Sequence, residues 1–423
     1  MLRKHSIPML LILIVMSTTY LVSVFIVPNV YVRDLSGSPI SYDMNNWRDR
    51  YWQTNLDIET WIGNVRQFPN NLDTEYGQLR INRPVYMAMS ASVPRIIVLM
   101  NNRDDFEKGL TQRPSVVDTM VWMISLNYIF LVITVTLFYF WLQKYFSQII
   151  AFGSTALLAF SPEIIEHALK PSPEIAGLFI SIAVIYLFDI MLMSIQRPSW
   201  RRIFLVSICI GLLFFIKAHY HILMAILLWA LYLRRWRIFG GVLVFHFIPL
   251  ILWASFLPFV GSVYYNHETY VYRQVIWVLD FLEQGDIYGL VQQGIEFGSV
   301  AFKALLNTFS PFVLVLAAWA YTSNRSLTVC MKRIMFFGFL STMVFLTLIL
   351  RSPTYLLFDI YIFLYPLVIL SIIEGSDLLI QRVPLLDRLG IPVYSILLVC
   401  FLFIDTIYTW LALTKLGFGI VNL

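Results

Sequence analysis

Four short stretches of this sequence hold side chains capable of chemistry. In SPISYDMNNWRDRYWQTN (residues 38–55), Asp43 stands among amides, indoles and charges. A carboxylate there can act as a general base for an acceptor hydroxyl, provided it is partly buried beside that hydroxyl. A plain surface charge reads the same way, and Asp49, Asp57 and Glu59 offer the same group. In EIIEHALKPSPE, Glu163, Glu166 and His167 share one face of a helix that continues past Pro162. Glu166 and His167 are candidate ligands for a divalent metal ion, with a solvated helix end as the competing reading. Glu174 follows Pro173 in the first turn of the next helix, where the helix dipole alone favours a carboxylate. In FFIKAHYH, Lys217 ends an apolar run and His219 and His221 follow it. Its ammonium either snorkels to the lipid headgroups or meets a lipid-linked phosphate. In LILRSPTYLLFDIYIFLYP, Arg351 precedes Tyr355, Asp359 and Tyr361. Arginine grips phosphate bidentately, and an intramembrane carboxylate such as Asp359 is either functional or the partner of that arginine.

The elements that must position these groups are membrane helices. The chain of 423 residues is 59% hydrophobic and 13% charged, a composition that would leave a water-soluble domain with far too much exposed apolar surface. Apolar runs recur at roughly the length needed to cross a hydrocarbon core about 30 Å thick. The expected fold is an all-α polytopic membrane protein of about eleven helices, near 7–27, 116–141, 148–161, 174–195, 203–217, 219–233, 238–262, 301–321, 334–350, 355–373 and 392–413. The expected organisation is a first transmembrane helix (1–27), an outer loop with interfacial helices (28–115), helices two to seven (116–262), a second outer loop (263–300) and helices eight to eleven (301–423). The N-terminal run is longer than the apolar core of a signal peptide and lacks a small-residue cleavage site, so it reads as a retained helix.

Sidedness follows from the basic residues. The connections LRK, Lys144, QRPSWRR, RRWR, NRSLTVCMKR and QRVPLLDR are richer in positive charge than the alternate set, which assigns them to the cytoplasm. The alternate set, with 28–115, then faces outward. Within 28–115, tryptophan and isoleucine recur at helical spacing up to residue 68, which predicts a helix lying in the interface. RPVYMAMSASVPRIIVLM predicts a second, more apolar helix with Pro84 in its first turn. Such a loop either seals the outer leaflet or serves an enzyme that works at a lipid headgroup.

Other classes fall away. The net charge of +5 is distributed over short loops, as membrane topology requires, and does not imply nucleic acid. The three cysteines, Cys209, Cys330 and Cys400, form neither a disulfide framework nor a zinc pattern. P-loop, GxGxxG, GxSxG and HExxH motifs are all absent from the sequence, so any group transfer must start from an already activated substrate.

In layout the chain resembles the GT-C superfamily of membrane glycosyltransferases. The resemblance rests on a first helix leading to a long outer loop with an early acid (SYDMNNW), and on the RPVYMAMSA stretch from Arg83. It rests also on an acid opening helix four (PSPEIAGLF), a lysine closing a later helix and an arginine before a tyrosine-rich helix. It spans most of the chain through short motifs. The resemblance implies transfer of a sugar, with inversion as the expected stereochemistry, from a polyprenyl-phosphate-linked donor to a glycan, lipid or protein hydroxyl. It implies Asp43 as catalytic base, Lys217 and Arg351 on the donor phosphate, and Glu174, Arg83, His219 and Tyr355 as positioning residues. A divalent metal ion is a further possible component. The location implied is a bacterial inner (plasma) membrane, with the site facing the periplasm. The first loop departs from the family pattern in lacking a paired DE or DxD motif, and the chain lacks the soluble C-terminal domain of oligosaccharyltransferase-like members.

Two rivals share the composition. O-antigen polymerases and ligases place their large outer loop late in the sequence, whereas here the dominant loop follows helix one. A lipid-linked-sugar transporter or flippase would perform no covalent chemistry and is often built from repeated halves; 28–115 has no counterpart in the second half.

Overall fold

The computed structural model of the chain describes residues 10, 12–14, 16–18, 56–69, 83–262, 276–309, 311–323, 329–348 and 357–383, with 393, 394, 396–398, 400, 401 and 404. Every regular element among the described residues is helical, and none is a strand. In chain order the helices are α1 (Leu56–Gln67), α2 (Pro84–Asn101), α3 (Phe106–Thr111), α4 (Val116–Gln143), α5 (Gln148–Phe160), α6 (Pro162–Ala168), α7 (Glu174–Phe188), α8 (Trp200–Leu213), α9 (Tyr220–Tyr232), α10 (Trp236–Phe245) and α11 (Ile248–Phe256). They continue as α12 (Ile276–Glu283), α13 (Ile287–Thr308), α14 (Pro311–Ser323), α15 (Val329–Leu348) and α16 (Leu357–Arg382). A π-helical turn, Asp189–Met193, extends α7.

Among the described residues, four helical stretches are long and apolar enough to cross a membrane: Asp118–Gln143, Glu174–Met193, Trp236–Val260 and Asp359–Arg382. Several other apolar helices are shorter than a full span, among them Gln148–Phe160 and Tyr220–Tyr232. Two runs expected to be continuous are interrupted. The run 238–262 lies within the single stretch Trp236–Val260, but its regular hydrogen bonding lapses for two residues after α10, where His246 turns back to donate its Nδ1–H to the Val242 carbonyl (2.8 Å). The run 301–321 belongs to two helices that meet at Phe309, because a proline at 311 cannot extend the helix before it. Helices α12 and α13 occupy most of the segment read as the second outer loop.

The chain divides into two compact units. The first comprises Met1–Leu137 and Glu163–Arg273. In it α7 packs on α8 and α9, α10 packs on both α8 and α9, and α8 also packs on α11. The hydroxyls of Ser17 and Tyr128 join the N-terminal helical segment to α4. The small helices α1, α2 and α3 are stitched by guanidinium groups to backbone carbonyls. Arg95 donates to the carbonyls of Phe68 (3.1 Å), Arg66 (3.1 Å) and Gln112 (2.8 Å), and Arg66 donates to that of Pro114 (2.6 Å). The planar fork of arginine reaches several acceptors at once, which a lysine cannot do. The second unit comprises Phe138–Pro162 and Gln274–Leu423, and is centred on α16, which packs against α5, α14 and α15.

Close approach sets the geometry of the first unit. A Cβ on Gly211 of α8 would stand 2.2 Å from the backbone oxygen of His246, so only glycine lets α8 reach the break between α10 and α11. Gly240 on α10 has open space around it. The contrast predicts that Gly211→Ala lowers stability by about 1–3 kcal/mol through overpacking against backbone. Gly240→Ala is expected to raise it by about 0.5–1 kcal/mol through helix propensity. Thermal unfolding of the two variants in one detergent checks both signs.

Candidate functional site

The start of α7 gathers the polar residues of the first unit. Along this otherwise apolar helix, Glu174, Gly177 and Ser181 stand at i, i+3 and i+7, hence on one face. That face receives the turn between α8 and α9. Lys217 donates its ammonium to Glu174, and both side chains are buried, each 8% exposed. A hydrogen bond joins His219 Nδ1 to Ser181 Oγ (3.3 Å). Gly177 makes the fit possible, since a Cβ there would stand 2.3 Å from His219 Nε2 and 3.2 Å from Lys217 Cδ. His221, also buried, lies with its ring centroid 5.0 Å from that of His219.

Helix α2 contributes a second face to the same cluster. Its first turn is anchored by the Tyr86 N–H, which donates to the Phe215 carbonyl (3.5 Å), two residues before Lys217. Arg83 caps α2 and is buried, Tyr86 is fully buried, and Ser90 follows one turn later, again at i, i+3 and i+7. Burial pushes the Tyr86 phenol well above its ordinary range; the Ser90 hydroxyl opposes that shift, the Glu174 carboxylate adds to it and Arg83 opposes it. Trp122 of α4 holds α2 from outside, donating its indole N–H to the Met89 carbonyl (2.8 Å).

The loop from α6 to α7 completes the surroundings. Asn127 of α4 donates to the Lys170 carbonyl (2.6 Å), and Phe130 stacks on Phe179 with centroids 5.1 Å apart. Burial, with the ammoniums of Lys170 and Lys217, holds the His167 imidazole well below its usual range. His167 is therefore neutral near pH 7, the form that ligates metal or exchanges protons. Its expected companion Glu166 has a side chain outside the described residues.

Of the residues singled out in the sequence, Glu174, Lys217, His219 and Arg83 thus belong to one buried polar cluster in the first unit. The lysine does not snorkel but pairs with Glu174. Asp359 opens α16 in the second unit and is buried. Asp43, Arg351 and Tyr355 lie outside the described residues. Sequence reasoning passed over Tyr86, Gly177 and Ser181. Their signal is the paired i, i+3, i+7 spacing of small or polar residues on apolar helices.

The fold and site define a chain whose described elements are all helical, with membrane-length helices and a buried, mixed-charge cluster at one helix end. Comparison with protein-family models, curated proteins and solved structures finds no match to this chain.

Two outcomes follow from the cluster. Removing one member of a buried ion pair leaves an uncompensated charge, so Lys217→Met or Glu174→Leu alone should each lower stability by about 3–5 kcal/mol, and the double variant by much less. Equal losses in single and double variants, read by thermal unfolding in detergent, would refute the pairing. His167 binds its proton more weakly in the folded chain than in the unfolded one. Its contribution is therefore complete above the unfolded value of about 6.5 and is lost as pH falls below it, with a limiting slope of about 1.4 kcal/mol per pH unit. His167→Gln should flatten the stability profile between pH 7 and pH 5.

Proposed function

We propose that this chain is a polytopic membrane glycosyltransferase of about eleven spans. It moves a sugar from a polyprenyl-phosphate-linked donor to an acceptor hydroxyl at the outer face of the membrane. The observation that carries this reading is the buried cluster of Arg83, Lys217, Glu174 and His219 at the first turn of a membrane-length helix. Within the first unit the cations Arg83 and Lys217, with Lys170 close by, gather beside Glu174. Such a site suits an anion that arrives from the lipid, because desolvated cations stabilise a phosphate far more strongly than solvated ones.

The reaction is an inverting displacement. The acceptor oxygen forms a bond to the anomeric carbon as the bond from that carbon to the phosphate oxygen breaks, and polyprenyl phosphate departs with the electron pair. Lys217 and Arg351 meet the charge that develops on the leaving phosphate. Asp43 takes the hydroxyl proton. Glu174 holds the Lys217 ammonium, while Arg83, His219 and Tyr355 position the donor. A divalent metal ion, if one is used, would add charge at the phosphate, with Glu166 and His167 as its candidate ligands.

The test is sugar transfer by the full chain in proteoliposomes, from synthetic polyprenyl-phosphate sugars, with and without EDTA. Asp43→Asn should lower turnover by about 10²–10⁴-fold, the usual contribution of a general base, with insertion unchanged. A folded protein that transfers nothing from any such donor, or an Asp43→Asn variant with full turnover, rules the reading out.

A further inference from the structure

The opposite end of α7 leads into a second cationic site, independent of the first. The connection after the π-helical turn and the first turn of α8 carry Arg197, Arg201 and Arg202, and the connection between α9 and α10 with the first turn of α10 carries Arg234, Arg235 and Arg237. These stretches are far apart in sequence, and packing of α8 on α10 brings them together. A Cβ on Gly241 would stand 2.5 Å from Ile203 Cγ2 and 3.2 Å from the Trp200 ring, so the missing side chain lets the two helices close. Arg235 then donates across the junction to the carbonyls of Gln196 and Ile195. The Arg237 guanidinium lies over the Trp200 ring, 4.9 Å from its centroid, and Trp200 meets Phe245 edge-on.

What this junction displays is unusual for a protein surface. Arg197, Arg201, Arg234 and Arg237 are exposed, and Trp200 and Trp236 are 52% and 62% exposed. No acidic residue occurs in the sequence between Asp189 and Glu268, and Asp189 itself is buried. The amino-terminal turns of α8 and α10, whose dipoles favour anions, both open here. Exposed indoles mark the headgroup level of a bilayer, where their rings sit half in lipid and half in water. Guanidinium groups at that level bind phosphate through paired N–H donors. The sequence pattern alone gives these arginines only a topological role. Their convergence around two indoles adds a recognition surface to it.

We propose that this arginine–tryptophan patch is a binding site for the anionic phosphate headgroup of membrane phospholipid. The tryptophans hold the patch at headgroup depth, and the exposed arginines select a lipid with net negative charge over a zwitterionic one. Arg235 and Arg202 are structural members of the site, the first bound to carbonyls and the second to the Met191 sulfur (3.6 Å).

The experiment is native mass spectrometry of the full chain released from micelles containing equal phosphatidylglycerol and phosphatidylcholine. Wild type should retain phosphatidylglycerol preferentially, and the preference should vanish in 1 M salt, where screening reaches about 3 Å. The combined Arg197→Gln, Arg201→Gln and Arg234→Gln variant touches no hydrogen bond that joins the two connections. It should lose on the order of a hundredfold in relative phosphatidylglycerol affinity, each surface cation accounting for about fivefold. Wild type without a preference overturns the proposal whatever the variant does, as does a variant that keeps the full preference. Displacement of the lipid by millimolar glycerol phosphate also overturns it, since the ligand would then be a soluble phosphate.

Discussion

An ammonium and a carboxylate withdrawn from water each carry a desolvation cost of several kcal/mol, and the Lys217–Glu174 pair is tolerable only because the two groups meet. Much of the first unit follows from that requirement. The turn between α8 and α9 must lie against the first turn of α7, so the position one helical turn on has to be glycine, and Gly177 is there. The next position on that face meets an imidazole and is a serine. Helix α2 is fixed to the same turn through the carbonyl of Phe215, which places Arg83 and Tyr86 beside the pair. One electrostatic constraint thereby orders residues from three separate parts of the chain.

Apolar packing could not impose such order by itself. Between helices in a hydrocarbon environment, one leucine-rich face is as good as another, and close backbone approach and interhelical polar contacts decide the register. The approach of Gly211 to the His246 carbonyl serves this purpose in the first unit, and the hydrogen bond from Ser371 to the Leu316 carbonyl, between α16 and α14, serves it in the second. Many other hydroxyls return to their own helix: Thr134, Ser154, Thr155, Ser207 and Thr342 each donate to the carbonyl four residues earlier. These side chains satisfy themselves locally and leave register to the few that do not.

The helical class was legible from composition, and so was the beginning of α7, because Pro173 and Glu174 are both residues that open helices. Lys217 and Glu174 each stood out as charges beside apolar runs. That they neutralise one another was not legible, since 43 residues separate them and no local period encodes the pairing. The break at His246 was hidden for a similar reason: its stretch reads as one apolar run, and the turn there is accommodated by a glycine on another helix. The split at Phe309 had a local signal in Pro311, which the apolar composition of 301–321 obscured. The convergence of two arginine-bearing connections likewise depends on the packing of α8 on α10, not on either connection alone.

The two cationic sites of the first unit stand at opposite ends of one helical stretch. Glu174–Met193 has 20 residues, which at about 1.5 Å each gives roughly 30 Å, the thickness of a hydrocarbon core. At its start the cation is buried and matched by a carboxylate; beyond its end the cations are exposed and share their surface with indoles. These are the two physical solutions open to positive charge in a membrane protein, pairing inside and hydration at the headgroups. Topological bias toward arginine acts on exposed charge of the kind displayed beyond the Met193 end of the stretch. The length of the stretch separates Glu174 from that end by about the thickness of a hydrocarbon core. A buried ion pair and an exposed arginine–tryptophan patch are two consequences of a single helical stretch whose ends solve the problem of charge differently.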